Sequence, residues 1–219
     1  MNSSWDIIAG VDYSNRFLYA SSDSGLRDRL PDLNEFNQGK INWRLGGNYN
    51  KRLSENTYLK TGLRLASVGY VYKTGDIQWG SEHNGNGGYE PDPDLESIRF
   101  SYDYWFMELP IAIRFEKNNN KLSPFLEVGI SPSIYLASLL TKKLDTPKET
   151  VLKRENDSAP INNFQLVSTF AFGANYNYTE KLQLFAQPTF RFHLTQLFRT
   201  PIKTHLYSAG LEMGVRWRY

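Results

Sequence analysis

The sequence predicts an all-β fold: a closed antiparallel up-and-down transmembrane β-barrel of about eight strands, with short periplasmic turns and long extracellular loops. Three observations predict it. Large apolar residues recur at every second position, the period of an extended strand. The alternating segments run to roughly 14 to 17 residues, beyond the roughly 5 to 6 of a globular strand and the roughly 9 to 11 that cross a bilayer. Short turns and long polar loops alternate along the chain.

The closing segment is the clearest case. Leu211, Met213, Val215, Trp217 and Tyr219 alternate with Glu212, Gly214, Arg216 and Arg218. One face suits hydrocarbon and the other suits water. Such a strand resembles the C-terminal insertion signal of outer-membrane barrels, which the barrel-assembly machinery reads during insertion. Both termini of an even-stranded barrel lie on the periplasmic side.

The other elements follow in order. The first strand covers Trp5 to Tyr19, with Trp5, Ile7, Ala9 and Val11 on one face and Ile8 blurring the alternation. A polar stretch, Ala20 to Asn37, separates it from the second strand, where Ile41, Trp43, Leu45 and Tyr49 oppose Asn42, Arg44, Asn48 and Asn50. After a short turn at Leu53 to Asn56, the third strand runs from Tyr58 to Tyr72. Lys73 to Ser97 is dense in Gly and Pro, which argues against regular structure there. The fourth strand spans Ile98 to Phe115, with Trp105, Met107, Leu109, Ile111 and Ile113 opposing Glu108, Ala112 and Arg114. A tight turn leads to the fifth, Pro124 to Ser138. The loop Thr141 to Ile161 is rich in Lys and Arg. The sixth strand is Asn163 to Tyr178, the seventh Leu182 to Phe198 and the eighth His205 to Tyr219. The whole of 1–219 reads as one barrel domain.

Composition fits this architecture. Aromatic residues make up 15% of the 219 residues, and aromatics favour strands and barrel girdles. The mean hydropathy of -0.52 and the lack of any long apolar run exclude a helical membrane protein, not a barrel. A net charge of +2 provides no field for nucleic acid, so no nucleic-acid partner is expected. Cysteine is absent, which removes disulfides, thiolate nucleophiles and thiolate metal sites. Met1 to Trp5 shows no signal-peptide pattern, so an exported chain is represented by its mature part.

The alternation assigns Asp6, Asp12, Glu108, Glu127 and Glu212 to the lumen together with Arg44, Lys60, Arg64, Arg114, Arg191, Arg216 and Arg218. A barrel of about eight strands is only wide enough for side chains to fill it. These charges are expected to interlock as a paired plug rather than line an ion path.

The block Tyr104-Trp105-Phe106-Met107-Glu108-Leu109-Pro110-Ile111-Ala112-Ile113-Arg114-Phe115 carries a resemblance. Its Glu-Leu-Pro followed by alternating apolar residues, a turn, and Ser123-Pro124-Phe125-Leu126-Glu127-Val128-Gly129 resembles the PorT-like outer-membrane β-barrel family of the Bacteroidota. Phe172-Gly173-Ala174-Asn175-Tyr176 and the hairpin to Leu184-Phe185-Ala186 are similar to it as well. The resemblance implies an integral outer-membrane protein of a Gram-negative bacterium with eight strands. Members include secretion-system components.

Other candidate sites are weaker. His83, His193 and His205 lack metal-ligand spacing on one face, so no metal or cofactor is expected. His193, Ser208 and Glu212 share the lumen side and form the one conceivable catalytic set, of the lipid-modifying type. Asp76, Glu82, Glu90, Asp92, Asp94 and Glu96 make an acidic second loop, able to offer oxygen ligands to Ca²⁺ or to meet a partner. Lys142, Lys143, Lys148, Lys153 and Arg154 make the third loop basic, complementary to the acidic loop or to anionic lipopolysaccharide. The sequence thus predicts a barrel without catalytic activity, anchored in outer-membrane lipid and docking protein partners of an envelope complex through its loops. Three rivals are a small-solute pore, a lipid-modifying enzyme and a soluble lipocalin-like barrel.

Overall fold

The computed structural model describes residues 3–20, 36–75, 80–84, 88–91, 97–117, 121–145, 150–155, 160–200 and 202–219. The strands are β1 (Ser3–Ala20), β2 (Asn37–Arg52), β3 (Thr57–Gly75), β4 (Gly80–Asn84), β5 (Gly88–Pro91) and β6 (Ser97–Glu108). They continue with β7 (Ile111–Glu116), β8 (Leu122–Asp145), β9 (Thr150–Glu155), β10 (Phe164–Asn177), β11 (Leu182–His193) and β12 (Ile202–Arg218).

The main sheet is antiparallel and closes on itself. β1 pairs with β2, β2 with β3, β8 with β10, β10 with β11, and β11 with β12; β12 returns to β1 with Trp5 opposite Trp217. β6 and β7 both lie between β3 and β8 and make one interrupted stave. The interruption falls at Leu109-Pro110, where proline has no N–H to give the ladder. Eight staves result, as the sequence predicts.

Every stave turns an apolar side chain outward at mid-height. Ile7, Leu45, Leu63, Ile113, Val128, Phe172, Leu184 and Met213, one per stave, are between 43% and 62% exposed. A soluble barrel would hide such a belt, whereas hydrocarbon covers it at no cost. This is a transmembrane barrel. Closure leaves no edge strand in the lipid, so backbone groups pair within the ring.

The two ends differ. At one, the turns are tight: Leu53 N donates to Thr57 O at 2.8 Å, and Tyr178 N to Leu182 O at 3.0 Å. At the other, the staves are uneven. β8 has 24 residues and β10 has 14. β8 pairs with β10 only from Leu122 to Ile134, then continues upward between β6 and β9. β3, β6, β8 and β9 thus form a wall raised above the rest of the rim.

Two sequence expectations are corrected here. The second loop is not irregular throughout: β4 and β5 form a separate hairpin with Glu82 opposite Glu90, and β3 and β6 stay paired as far as Gly75 opposite Ser97. The third loop contains β9, paired to β8 from Leu140–Glu155 to Asp145–Thr150. Gly and Pro density hid both, because strand pairing needs only short stretches between the breakers. The polar stretch at 21–35, and with it Asp76, Asp92, Asp94, Glu96 and Lys148, lies outside the described residues.

Candidate functional site

The lumen is built by parity. On each stave the residues flanking the outward apolar ones point inward, and there the sequence places its charges. Of the twelve assigned to the lumen, Asp6, Asp12, Arg44, Lys60, Arg64, Glu108, Arg114, Glu127, Arg191, Glu212 and Arg216 are at most 3% exposed. Arg218 lies half-buried at the turn-end rim.

The charges are tied in tiers. Nearest the turns, Arg216 donates Nε to Asp6 Oδ1 at 2.7 Å and Nη2 to Oδ2 at 3.1 Å. Its Nη1 reaches Glu116 Oε2 at 3.3 Å, and Arg218 Nη2 reaches Glu116 Oε1 at 3.3 Å. Above them, Lys60 Nζ lies 3.0 Å from both oxygens of Glu127. Arg114 donates to Glu127 Oε2 through Nε at 3.0 Å and Nη2 at 2.7 Å. At mid-height Glu212 accepts from Gln187 Nε2 at 2.7 Å and faces Arg64 at 3.4 Å and Arg44 at 3.6 Å. Arg44 also meets Asp12 at 2.9 Å and donates to Thr189 Oγ1 at 2.9 Å. Higher still, Arg191 pairs with Glu108.

Glu116 is the member that the sequence reading did not assign. It is buried and follows Arg114 by two positions, so the alternation itself pointed to it. With it, six buried carboxylates face six buried cations among the described residues. Each ion here needs its partners, since a lone buried charge costs several kcal/mol.

Aromatic residues share this space. Ile8, Phe125 and Phe185 point inward and pack together. The Arg114 guanidinium lies 4.1 Å from the Phe125 ring centre, and that of Arg216 lies 5.5 Å from Phe185. Cation–π contact supplements the ion pairs. Ile8 blurred the alternation because it is an inward residue.

The loop half of the lumen corrects the expectation of a polar interior. Val68, Tyr70, Tyr104, Phe106, Leu197, Phe198 and Leu206 form one buried apolar cluster. The seventh strand ends at His193, not Phe198. The following segment folds inward: Leu197 N donates to Thr204 O, Asn162 N to Leu197 O and Arg199 N to Pro160 O, and Phe198 bridges to Ile161. Arg16 lies over Tyr70 at 4.1 Å. Ion pairs therefore fill the turn half and aromatics fill the loop half.

The remaining candidates fall as follows. His193, Ser208 and Glu212 are all buried in the lumen. Glu212 is held by Gln187 and the Arg64–Arg44 side, Ser208 stands opposite Arg191 in the ladder, and the His193 ring packs edge-on against Phe106. No described contact joins the three. His205 Nδ1 contacts the His193 carbonyl, and its ring stacks on Phe192. Among the described residues no His, Asp and Glu group has metal-binding geometry. Leu211, Met213, Trp217 and Tyr219 point outward from β12.

No family model matches the chain, and no curated protein matches it in sequence. Solved structures with a similar trace include Neisserial surface protein A, at 10% identity over 98% of this chain and 97% of that one, TM-score 0.48. The outer membrane protease OmpT from Escherichia coli is 10% identical over 100% and 97%, TM-score 0.46. The attachment invasion locus protein Ail of Yersinia pestis is 10% identical over 99% and 100%, TM-score 0.37. One of them is a protease, so likeness of trace assigns no role here.

Proposed function

We propose that this chain is an integral outer-membrane barrel without catalytic activity, one domain long, that acts as an anchored docking component of an envelope complex of the secretion or assembly type. One observation carries the reading. Among the described residues, buried side chains occupy the lumen from the Asp6–Arg216 tier to the Tyr70–Leu206 cluster, while β3, β6, β8 and β9 extend past the β8–β10 pairing. A filled lumen disfavours a solute pore, and extra wall and loop length ordinarily serves recognition. The separation of His193, Ser208 and Glu212 disfavours a lipid-modifying enzyme. The Glu108-Leu109-Pro110 block supports a PorT-like relationship, whose members include secretion components.

The test shortens the loops and leaves the staves. Gly75 and Ser97 are in register, so a short turn can replace 76–96 without disturbing β3 or β6. In the same chain the raised β8–β9 hairpin is shortened within 141–155, which keeps the β8–β10 pairing from Leu122 to Ile134 and the Ile161–Phe198 bridge. The barrel is expected to fold and to lose its partner on co-purification from native membranes in mild detergent. Stable ion conductance by the intact protein, with partner recovery unchanged after shortening, would replace this reading by a pore.

A further inference from the structure

At mid-height one stretch of the inner wall is built from small residues. Lys60 of β3, Ala112 of β7, Gly129 of β8, Thr169 of β10 and Arg191 of β11 are successive ladder partners around the ring. Between its two long cations the row holds only Ala, Gly and Thr. A Cβ on Gly129 would meet that of Ala112 at 2.6 Å, so these strands leave no place for a larger side chain. Two residues along, Pro110 stands level with Ser131 where the stave is interrupted. A cavity of about 10 Å³ results, with Arg64, Pro110, Glu127, Gly129, Ser131 and Thr169 in its lining.

Two of these side chains bring a polar atom that no other group satisfies. Arg64 Nε donates to Asn48 Oδ1 at 3.3 Å and Nη1 faces Glu212 Oε2 at 3.4 Å, while Nη2 is buried without a hydrogen-bond partner. Thr169 Oγ1 is buried without one as well. Arg64 and Thr169 are 3% and 8% exposed, so bulk solvent does not serve them. An unpaired buried polar atom is costly, and two beside one cavity point to a shared partner.

Size and charge identify that partner. A single water needs roughly 10–15 Å³ of such space. Among the described residues the buried carboxylates and cations of the lumen already balance, so the cavity suits a neutral group. The group must accept from a guanidinium and also meet a hydroxyl. Water does both.

We propose that this cavity binds one water molecule, which accepts a hydrogen bond from Arg64 Nη2 and shares another with Thr169 Oγ1. Its remaining hydrogen goes to the Glu127 carboxylate in the same lining. The water then makes about three hydrogen bonds, the usual number for a buried one. It joins the Glu212–Arg64 tier to the Glu127 tier beside the break in the stave. The site is separate from the docking role and does not depend on it.

The experiment crystallises the full chain from a lipidic phase and compares urea unfolding of the wild type, Thr169→Val and Thr169→Ser in lipid vesicles. In a map that shows ordered water elsewhere, the wild type is expected to hold a peak within about 3.2 Å of both Thr169 Oγ1 and Arg64 Nη2. Thr169→Ser keeps the hydroxyl and should keep the peak. Thr169→Val keeps the shape but takes a partner from the water, so its midpoint should fall. The sign is decisive, because replacing a hydroxyl that has no partner by a methyl is neutral or stabilising. An unchanged or raised midpoint for Thr169→Val would overturn the site, as would a wild-type map without the peak. That map decides alone if the variant does not fold. An anomalous signal at the peak would assign it to an ion and overturn the water.

Discussion

Arg216 and Asp6 form a two-pronged ion pair across the seam where the last strand meets the first, with Nε to Oδ1 at 2.7 Å and Nη2 to Oδ2 at 3.1 Å. They are also direct ladder partners. The bond that closes the ring therefore has a side-chain counterpart inside the lumen. Asp6→Ala leaves Arg216 buried with Glu116 as its one remaining carboxylate partner among the described residues, and breaking a buried pair costs roughly 3–5 kcal/mol. Urea unfolding of the barrel in lipid vesicles should show a lowered midpoint. The double variant Asp6→Ala, Arg216→Ala should lose less than the sum of the two singles. Additive losses would mean that the pair is not coupled across the seam.

Two glycines make room for the mid-height charges, and they should respond unequally. A Cβ on Gly10 would meet the Arg44 guanidinium at 3.2 Å, the end of a flexible side chain. One on Gly210 would meet the Val11 carbonyl oxygen at 2.1 Å, which is backbone. Gly210→Ala is expected to destabilise by about 1–3 kcal/mol, and Gly10→Ala by less. Equal midpoints in denaturant for the two variants would contradict the packing around Asp12 and Arg44.

The lumen has two independent fillings, so removing one should not open it. Leu197→Ala with Phe198→Ala hollows the aromatic half and leaves the Lys60–Glu127–Arg114 and Asp6–Arg216 tiers in place. Planar-bilayer recording of the wild type and of this double variant should show no stable conductance. Channel openings in the double variant alone would identify the inward-folded segment as the sole barrier.

How much of this was legible in the sequence depended on contrast between the faces. Where apolar and charged residues alternate, as at Ile7 and Asp6 or Ile113 and Arg114, period two located both the belt and the lumen. Glu116 is equally readable by parity but lies one position beyond the strand end expected at Phe115. Around β6 the contrast disappears. Tyr104 and Phe106 point inward while Trp105 and Met107 point outward, and both faces are apolar. Alternation cannot tell a lumen aromatic from a lipid-facing one, so the buried cluster was not foreseen. Phe198 reads as part of a continuing strand for the same reason, since its burial comes from Ile161 and Tyr104, far away in sequence.

The turn end carries a further seam feature. Trp5 and Trp217 are in register, Trp5 lies 5.1 Å from Tyr49 in ring-centre distance, and Tyr219 N reaches Ser3 O at 3.3 Å. Trp5 and Trp217 are 53% and 43% exposed and point outward, at a level where aromatic rings anchor in a membrane interface. Replacing Trp217 and Tyr219 with Ala removes the interfacial anchors of β12 while leaving the Arg216 pair intact. The folded fraction in cell membranes, read as the heat-modifiable band on gels, should fall severalfold. Phe192→Ala with Tyr207→Ala provides the control, because these residues are in register on β11 and β12 near the loop end. That pair should lose little insertion. Equal folded fractions in the two double variants would refute a special role for the turn-end aromatics. A wild-type chain that shows no heat-modifiable shift and dissolves without detergent would refute the membrane barrel itself.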